Sequence, residues 1–448
     1  VIFLEYNQVV EYIFNLRRFG DIKLGLERVS YMLERIGNPE RKLKVIHVGG
    51  TAGKGSTVMM VSSILQAAGY KIGSYTSPHL SSYTERIVIN GERIKEEEII
   101  SLFEQMKPII DELIQKKNQP TFPEVTTVMA FQYFFDKKVD FAVIEVGLGG
   151  RLDATNVVNP LVSVITNIGL EHTEYLGNSL EEIAREKAGI IKNFGIVITA
   201  TEDEKVFKIF KEVSREKNSK ILRLGDQFRF KKISSSLEGQ TFDVIGENYQ
   251  LNELFTTLLG EFQLRNAATA VAAVKSLKSY GIDIPDKSYF TGFKNVRWPG
   301  RMEIVQREPL VILDSAKDQL AMSSLAESTK EMFPEKKINL VLAVSRDKKV
   351  GMIVREIVPL ANKIVLTRHS LKERALDPAS LAEEVEIYGK EFSVAENVKE
   401  AVERAINNSG KGELVLVTGS VFTVGEARER WFKEVDLRWG RDLNEKKV

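Results

Sequence analysis

One stretch of this chain brings glycines, a lysine and hydroxyls together: Gly49-Gly50-Thr51-Ala52-Gly53-Lys54-Gly55-Ser56-Thr57. The apolar run Val45, Ile46, His47 and Val48 before it reads as a buried strand. Val58, Met59, Val61, Ile64, Leu65 and Ala68 after it keep helical spacing. A strand, a glycine loop and a helix N-terminus make a phosphate cradle, because the loop N–H groups point at the anion and the helix dipole adds positive charge. Lys54 would reach the outer phosphates, and Ser56 or Thr57 could touch Mg²⁺. The strict pattern G-x-x-x-x-G-K-[ST] fails, since Val48 stands at its first glycine and Gly55 separates Lys54 from Ser56. An ordinary strand-to-helix turn is the plainer alternative; nucleotide binding is the better reading.

Other candidates surround it. Glu145 sits inside Ala142-Val143-Ile144-Glu145-Val146, where a carboxylate is costly to bury unless paired or metal-bound. At the tail of a strand beside a phosphate loop it fits the acidic residue that holds Mg²⁺; a hydrogen-bonded structural carboxylate is the alternative. Of the four histidines, His47, His79, His172 and His369, only His172 follows an acid in a polar loop directly after a strand, which makes it the ligand candidate. Lys187 has no distinguishing neighbours and reads as a helix lysine. Arg301, after Trp298-Pro299-Gly300, could clamp phosphate across a cleft. Asp314 ends a strand and could bind a ribose or orient an arginine.

These residues need elements to position them. The chain has 448 residues, enough for two or three domains. Lys and Arg number 63 against 62 Asp and Glu, so no overall field argues for nucleic acid or membrane. There are no cysteines, which excludes thiolate catalysis and Cys-ligated metals. The first twenty residues are apolar at helical period but carry Glu5 and Glu11, unlike a signal peptide, and no run reaches membrane-spanning length. A soluble cytoplasmic monomer is expected. Strands at 71–77, 140–146 and 161–167 alternate with helical stretches at 96–117 and 123–138, and an Asn90-Gly91 turn joins two short strands. That pattern predicts an α/β fold with a parallel sheet of P-loop NTPase type, its loops gathered at the strand carboxyl ends. A small antiparallel insert is expected over 221–249, and a helix over 260–279. Strand-like runs at 310–314, 338–344, 363–367 and 413–418 form a second, Rossmann-like α/β unit. The expected division is 1–295 for nucleotide and 296–448 for the second domain, with a charged, frayed end at 436–448.

The segments GGTAGKGST, YTSPHL, ERIVINGERI, EVGLGGRLDATN, ITNIGLEH, REKAGIIK, FQLRNAATA, RWPGR and VTGSVFTVGEAR follow one another in an order that resembles the folylpolyglutamate synthases of the Mur ligase superfamily, from about Leu24 to Glu426. The resemblance implies an ATP-dependent ligase that makes an acyl phosphate on a folate or pteroate carboxylate and gives it to the amine of L-glutamate. It implies that Gly53, Lys54, Gly55 and Ser56 hold ATP, with Asn266, Arg301 and Asp314 also on the nucleotide. It implies two Mg²⁺ sites built from Ser77, Glu145 and His172, with Lys187 carried as a carbamate that assists the second metal. Lys54, Lys187 and His172 would then be catalytic, and the second domain would bind glutamate beside a reduced-folate site.

The chain departs from this pattern at two places. Ala52 stands where the family usually has Asn, and Asp314-Ser315-Ala316-Lys317-Asp318-Gln319 stands where it usually reads Asp-Gly-Ala-His-Asn-Pro. Lys317 supplies a point charge but not a neutral imidazole. Two alternatives accompany the main reading. One is a second, dihydrofolate synthase activity on dihydropteroate, which the segment TFPEVTT at 121–127 leaves open. The other is a P-loop regulatory NTPase.

Overall fold

The computed structural model describes residues 5–16 and 24–433; the end at 436–448, expected to fray, lies outside them. Eight strands form the first sheet: β1 (Val45–Gly49), β2 (Ile72–Tyr75), β3 (Ile87–Ile89), β4 (Glu92–Arg93), β5 (Phe141–Glu145), β6 (Val162–Ile165), β7 (Ile196–Thr199) and β8 (Lys220–Arg223). Their spatial order is β4-β3-β2-β5-β1-β6-β7-β8. All neighbours from β2 to β8 pair in parallel, while β3 and β4 add an antiparallel edge. The expected parallel sheet is therefore mixed at one margin, where the Asn90-Gly91 turn folds the chain back. β1 lies between β5 and β6, with Val48 opposite Glu145 and Gly49 opposite Ile165. That register puts the phosphate loop, Glu145 and the segment after β6 at one carboxyl-end crevice.

Both faces of this sheet are covered, as continuous Val and Ile runs require. On one face lie the helices Lys54–Ala67 and Glu261–Ser276, the second rich in alanine, which lets the helices approach closely. Gly292 permits another close approach: a Cβ there would sit 2.6 Å from the backbone of Ile64. On the other face, Glu96–Gln115 and Phe122–Asp136 pack with Tyr6–Asn15 and Glu27–Arg35. Arg28 and Glu124 join two of these helices by a buried two-point ion pair at 2.9 and 3.0 Å.

The antiparallel insert is β9 (Phe228–Ser236), β10 (Gly239–Gly246) and β11 (Tyr249–Thr256). It begins later than 221, because Lys220–Arg223 pairs in parallel with β7 and belongs to the main sheet. It also ends later than 249, since the Glu247-Asn248 turn sends the chain back along β10 rather than out of the insert. Alternation in the sequence marks strands but not the sheet they join.

The C-terminal α/β domain has β12 (Glu303–Arg307), β13 (Leu310–Leu313), β14 (Ile338–Leu342), β15 (Ala361–Leu366), β16 (Phe392–Val394) and β17 (Leu414–Thr418), ordered β12-β13-β17-β14-β15-β16. Only β12 is antiparallel. Two apolar clusters cover its faces. No helix among the described residues is long and apolar enough to cross a membrane.

Candidate active site

The phosphate loop keeps its shape through residues outside it. Gly50 and Gly53 have φ of 125° and 83°, a region that favours glycine. The segment after β6 clamps the loop: Asn167 Oδ1 accepts the Ala52 N–H at 2.9 Å, Thr166 Oγ1 donates to the Ala52 carbonyl at 2.6 Å, and Thr51 Oγ1 accepts the Gly169 N–H at 3.0 Å. Lys54 donates from Nζ to the carbonyls of Gly50 (2.9 Å) and Thr51 (3.0 Å). Two other side chains close in on the glycines. A Cβ on Gly53 would lie 2.4 Å from Asn266 Oδ1, and one on Gly55 would lie 2.7 Å from the Trp298 ring. Asn266, which lies far along the sequence, thus stands directly on the loop. Ser56 is buried in the first turn of the helix that follows.

Glu145 is 4 % exposed, and its carboxylate accepts the backbone N–H of Ser77 at 3.0 Å. Burial pushes its carboxyl up, opposed by Lys54, that N–H group, Arg301 and Lys317. One hydrogen bond to a charged group returns about 1.5–3 kcal/mol, less than the several kcal/mol of desolvating a carboxylate. The surrounding cations offset part of the rest, and two of them come from the C-terminal domain.

Lys187 is 1 % exposed, in the helix Leu180–Ala188. Its Nζ donates to Glu171 at 2.6 Å and to the Gly50 carbonyl at 2.8 Å. Burial lowers its ammonium pKa, against the pull of Glu171. Burial would raise Glu171, but Lys187 and Lys54 outweigh it and hold the carboxyl at about 2. The bland helix lysine of the local sequence is therefore a buried wall of the phosphate loop. Gly150 and Gly189 make that approach possible: Cβ atoms there would lie 2.7 Å from the Glu186 carbonyl and 2.4 Å from Arg151. This explains Gly150 of the EVGLGGR segment and Gly189 of the EKAGI segment in steric terms.

His172 takes a left-handed conformation, φ 47°, at the start of Thr173–Leu176. Burial brings its imidazole down to about 4, with Lys348, Lys317 and Lys54 adding to the shift, so it is neutral near pH 7. Among the described residues no three His, Asp or Glu side chains converge as a preformed metal cluster.

The C-terminal domain closes the crevice. Asp314 is buried and accepts the N–H groups of Met302 (2.9 Å) and Ala316 (2.8 Å). Burial raises its carboxyl, and Arg301 opposes that rise. Arg301 donates to the Gly300 carbonyl and lies 6.0 Å from the Trp298 ring. It lines a cleft with Pro78, His79, Leu80, Trp298 and Val421. Beyond it, the carboxyl ends of β13, β15 and β17 carry buried polar atoms without hydrogen-bond partners: Ser315 Oγ, Thr367 Oγ1, His369 Nδ1 and Thr418 Oγ1. Ser345 Oγ lies 3.2 Å from His369 Nε2. Ser420 caps the helix Val421–Arg428. A second group flanks β2 and β3: Phe14 stacks on Phe122 with ring centroids 4.8 Å apart, and the Arg86 guanidinium lies 4.8 Å from the Phe122 ring. Arg86 also donates to His79 Nδ1 at 2.8 Å.

Residues 48–274 match the Mur ligase middle domain, and residues 300–421 match the Mur ligase glutamate ligase domain. The chain is 36 % identical over 431 residues to the dihydrofolate synthase/folylpolyglutamate synthase of Bacillus subtilis, covering 96 % of this chain and 99 % of that protein. The folylpolyglutamate synthase of Mycobacterium tuberculosis complexed with ADP superposes with a TM-score of 0.88 at 32 % identity, covering 96 % and 98 % of the two chains. An Escherichia coli relative in complex with DHPP and ADP gives 0.86 at 30 % identity, covering 95 % and 97 %. The phosphate loop, the buried acid beside it and a glutamate-ligase domain over the same crevice have one family in common, and this chain belongs to the folylpolyglutamate synthase/dihydrofolate synthase branch of the Mur ligases.

Proposed function

We propose that this chain, acting as a cytoplasmic monomer, joins L-glutamate to the γ-carboxylate of reduced folates at the expense of ATP, and also to dihydropteroate. The observation that carries the reading is the convergence of Lys54, Glu145 and the Lys187–Glu171 pair on one glycine loop, faced by Arg301 and Lys317 from the C-terminal domain. The second activity follows from the Bacillus subtilis relative, whose name carries both.

The chemistry has two steps. A carboxylate oxygen of the folate attacks the terminal phosphorus of ATP, and the P–O bond to ADP breaks with its electron pair leaving on ADP. The glutamate amine then attacks the acyl carbon and gives up a proton; phosphate departs and an amide remains. Lys54 and the N–H groups from Gly53 to Ser56 would hold the phosphates, Lys54 exchanging two loop carbonyls for phosphate oxygens. Asn266 would support the nucleotide from above Gly53, and Asp314 would hold the ribose or orient Arg301.

Glu145 and the Ser77 hydroxyl suit Mg²⁺, a hard cation that takes one or two carboxylates together with substrate phosphates and waters. Such an ion supplies charge neutralisation of the phosphates. For a second ion, burial favours the neutral amine of Lys187, the form that adds CO₂. Carbamylation would replace the Lys187–Glu171 ion pair with two anions, which is tolerable only with a cation between them, and neutral His172 could share it.

The aromatic group of Phe14, Phe122 and Arg86 gives a flat, cationic seat for a pterin ring. The unpartnered hydroxyls at the ends of β13, β15 and β17 would receive glutamate. The division at 295/296 makes Trp298-Pro299-Gly300 the hinge on which the domains close. Measuring ADP release with and without glutamate and a folate acceptor tests the reading. A regulatory NTPase would release ADP without either.

A further inference from the structure

We infer that Lys317 of the C-terminal domain is a direct ligand of the terminal phosphoryl group of ATP, so that this domain distinguishes triphosphate from diphosphate. The inference rests on the ligase reading of the site.

The segment carrying Lys317 is pinned at both ends. Asp314 holds its start through the Ala316 N–H at 2.8 Å, and Asp318 caps the helix Gln319–Met332 by accepting the Ala321 N–H at 3.0 Å. The segment also lies against the phosphate loop. A Cβ on Gly169 would meet Leu320 at 3.0 Å on one side and Thr51 at 3.3 Å on the other.

The neighbouring lysines are all engaged. Lys54 donates to two loop carbonyls, Lys187 pairs with Glu171, and Lys348 lies 3.1 Å from Asp347. Among the described residues nothing hydrogen-bonds or ion-pairs the Lys317 ammonium. The ammonium groups of Lys54, from the phosphate loop, and Lys348 both act on that of Lys317. Burial first, then Lys348 and Lys54, lowers Lys317 to about 8. Its charge is felt by Glu145 and His172, and it feels Glu171 in turn.

A cation repelled by two other cations and lacking a hydrogen-bond or ion-pair partner of its own is a site arranged for an incoming anion. The loop amides would hold the inner phosphates and Lys54 the outer ones from below. Lys317, three residues before the Leu320 that packs with Thr51 of the loop against Gly169, would meet the outermost phosphoryl group from the C-terminal side. An ADP molecule ends before reaching it.

The test is isothermal titration of the full chain, with Mg²⁺, against ADP and against a non-hydrolysable ATP analogue. Lys317→Met should weaken the analogue about 10- to 100-fold, the size expected for one charge-assisted hydrogen bond, and leave ADP within about twofold. Lys317→Arg should recover most of the loss. Equal weakening of both nucleotides would show a merely structural lysine, and unchanged binding of both would show no phosphate contact; either overturns the inference. If Lys317→Met does not fold, Lys317→Gln replaces it, since it keeps polarity and removes the charge. The ligase reading fails separately, if wild-type protein that binds both nucleotides releases no ADP with glutamate and folate.

Discussion

The phosphate loop shows how little a single side chain decides alone. Lys54 is held by two carbonyls of its own loop, and in the proposed role its removal would also deprive the nucleotide of a charge. Lys54→Ala should fold normally and lose glutamate-dependent ADP release by about a hundredfold or more, as steady-state kinetics would show. Gly53→Ala makes a sharper steric test: φ is 83°, and the new methyl would lie 2.4 Å from Asn266 Oδ1. Nucleotide affinity should fall even though every charge is kept. A third residue reports on stability. His47 is fully buried, and burial holds its imidazole down to about 3 against an ordinary value of 6.5. The unfolded chain takes up a proton as pH falls below 6.5, while the folded chain does not until about 3. Stability should therefore drop through that window, at up to about 1.4 kcal/mol per pH unit from this group. His47→Gln should flatten the slope of unfolding free energy against pH. At this scale the sequence revealed Lys54 and Glu145, because a lysine among glycines and an acid within an apolar run violate ordinary patterns. It could not reveal Thr166, Asn167, Glu171 or the hydroxyls of the C-terminal domain. Such residues occur in most loops, and only strand register makes neighbours of Asn167 and Ala52.

Elements carry these residues to the crevice, and their junctions decide how firmly. The ion pair between Arg28 and Glu124 fixes Glu27–Arg35 to Phe122–Asp136, close to the stacked Phe14 and Phe122. Glu124 also accepts the Thr121 N–H at 2.7 Å, so one carboxylate caps its helix and anchors a second. Arg28→Met should cost about 3–5 kcal/mol in denaturant unfolding, because a buried carboxylate loses its cation. The double variant Arg28→Met/Glu124→Leu should regain much of that loss. Strands and long helices were legible from period and Gly or Pro punctuation. The insert boundaries were not: Lys220–Arg223 is short and only partly buried, like the strands that follow it, yet it forms the edge of the main sheet. Sheet membership is a long-range property that local alternation does not contain.

At the scale of the molecule, the two α/β units meet through close backbone approaches. A Cβ on Gly425 would fall 2.2 Å from the Leu80 carbonyl, and Gly55 lies under Trp298 from the segment that joins the units. Gly425→Val should wedge this junction open and cut turnover by about tenfold or more, since ligation needs groups from both sides aligned. The nucleotide affinity of the first sheet should change less, and a comparison of kcat with ADP binding would show the difference. The ordered motifs made the family legible across the chain, but not how the C-terminal domain docks.

The most direct test of the central claim is ADP release from Mg-ATP and L-glutamate, measured with tetrahydrofolate, with dihydropteroate and with neither acceptor. Turnover with each acceptor, and none without one or without glutamate, is the predicted result. ADP release independent of acceptor, or no turnover with either folate compound in protein that binds ATP, would contradict it.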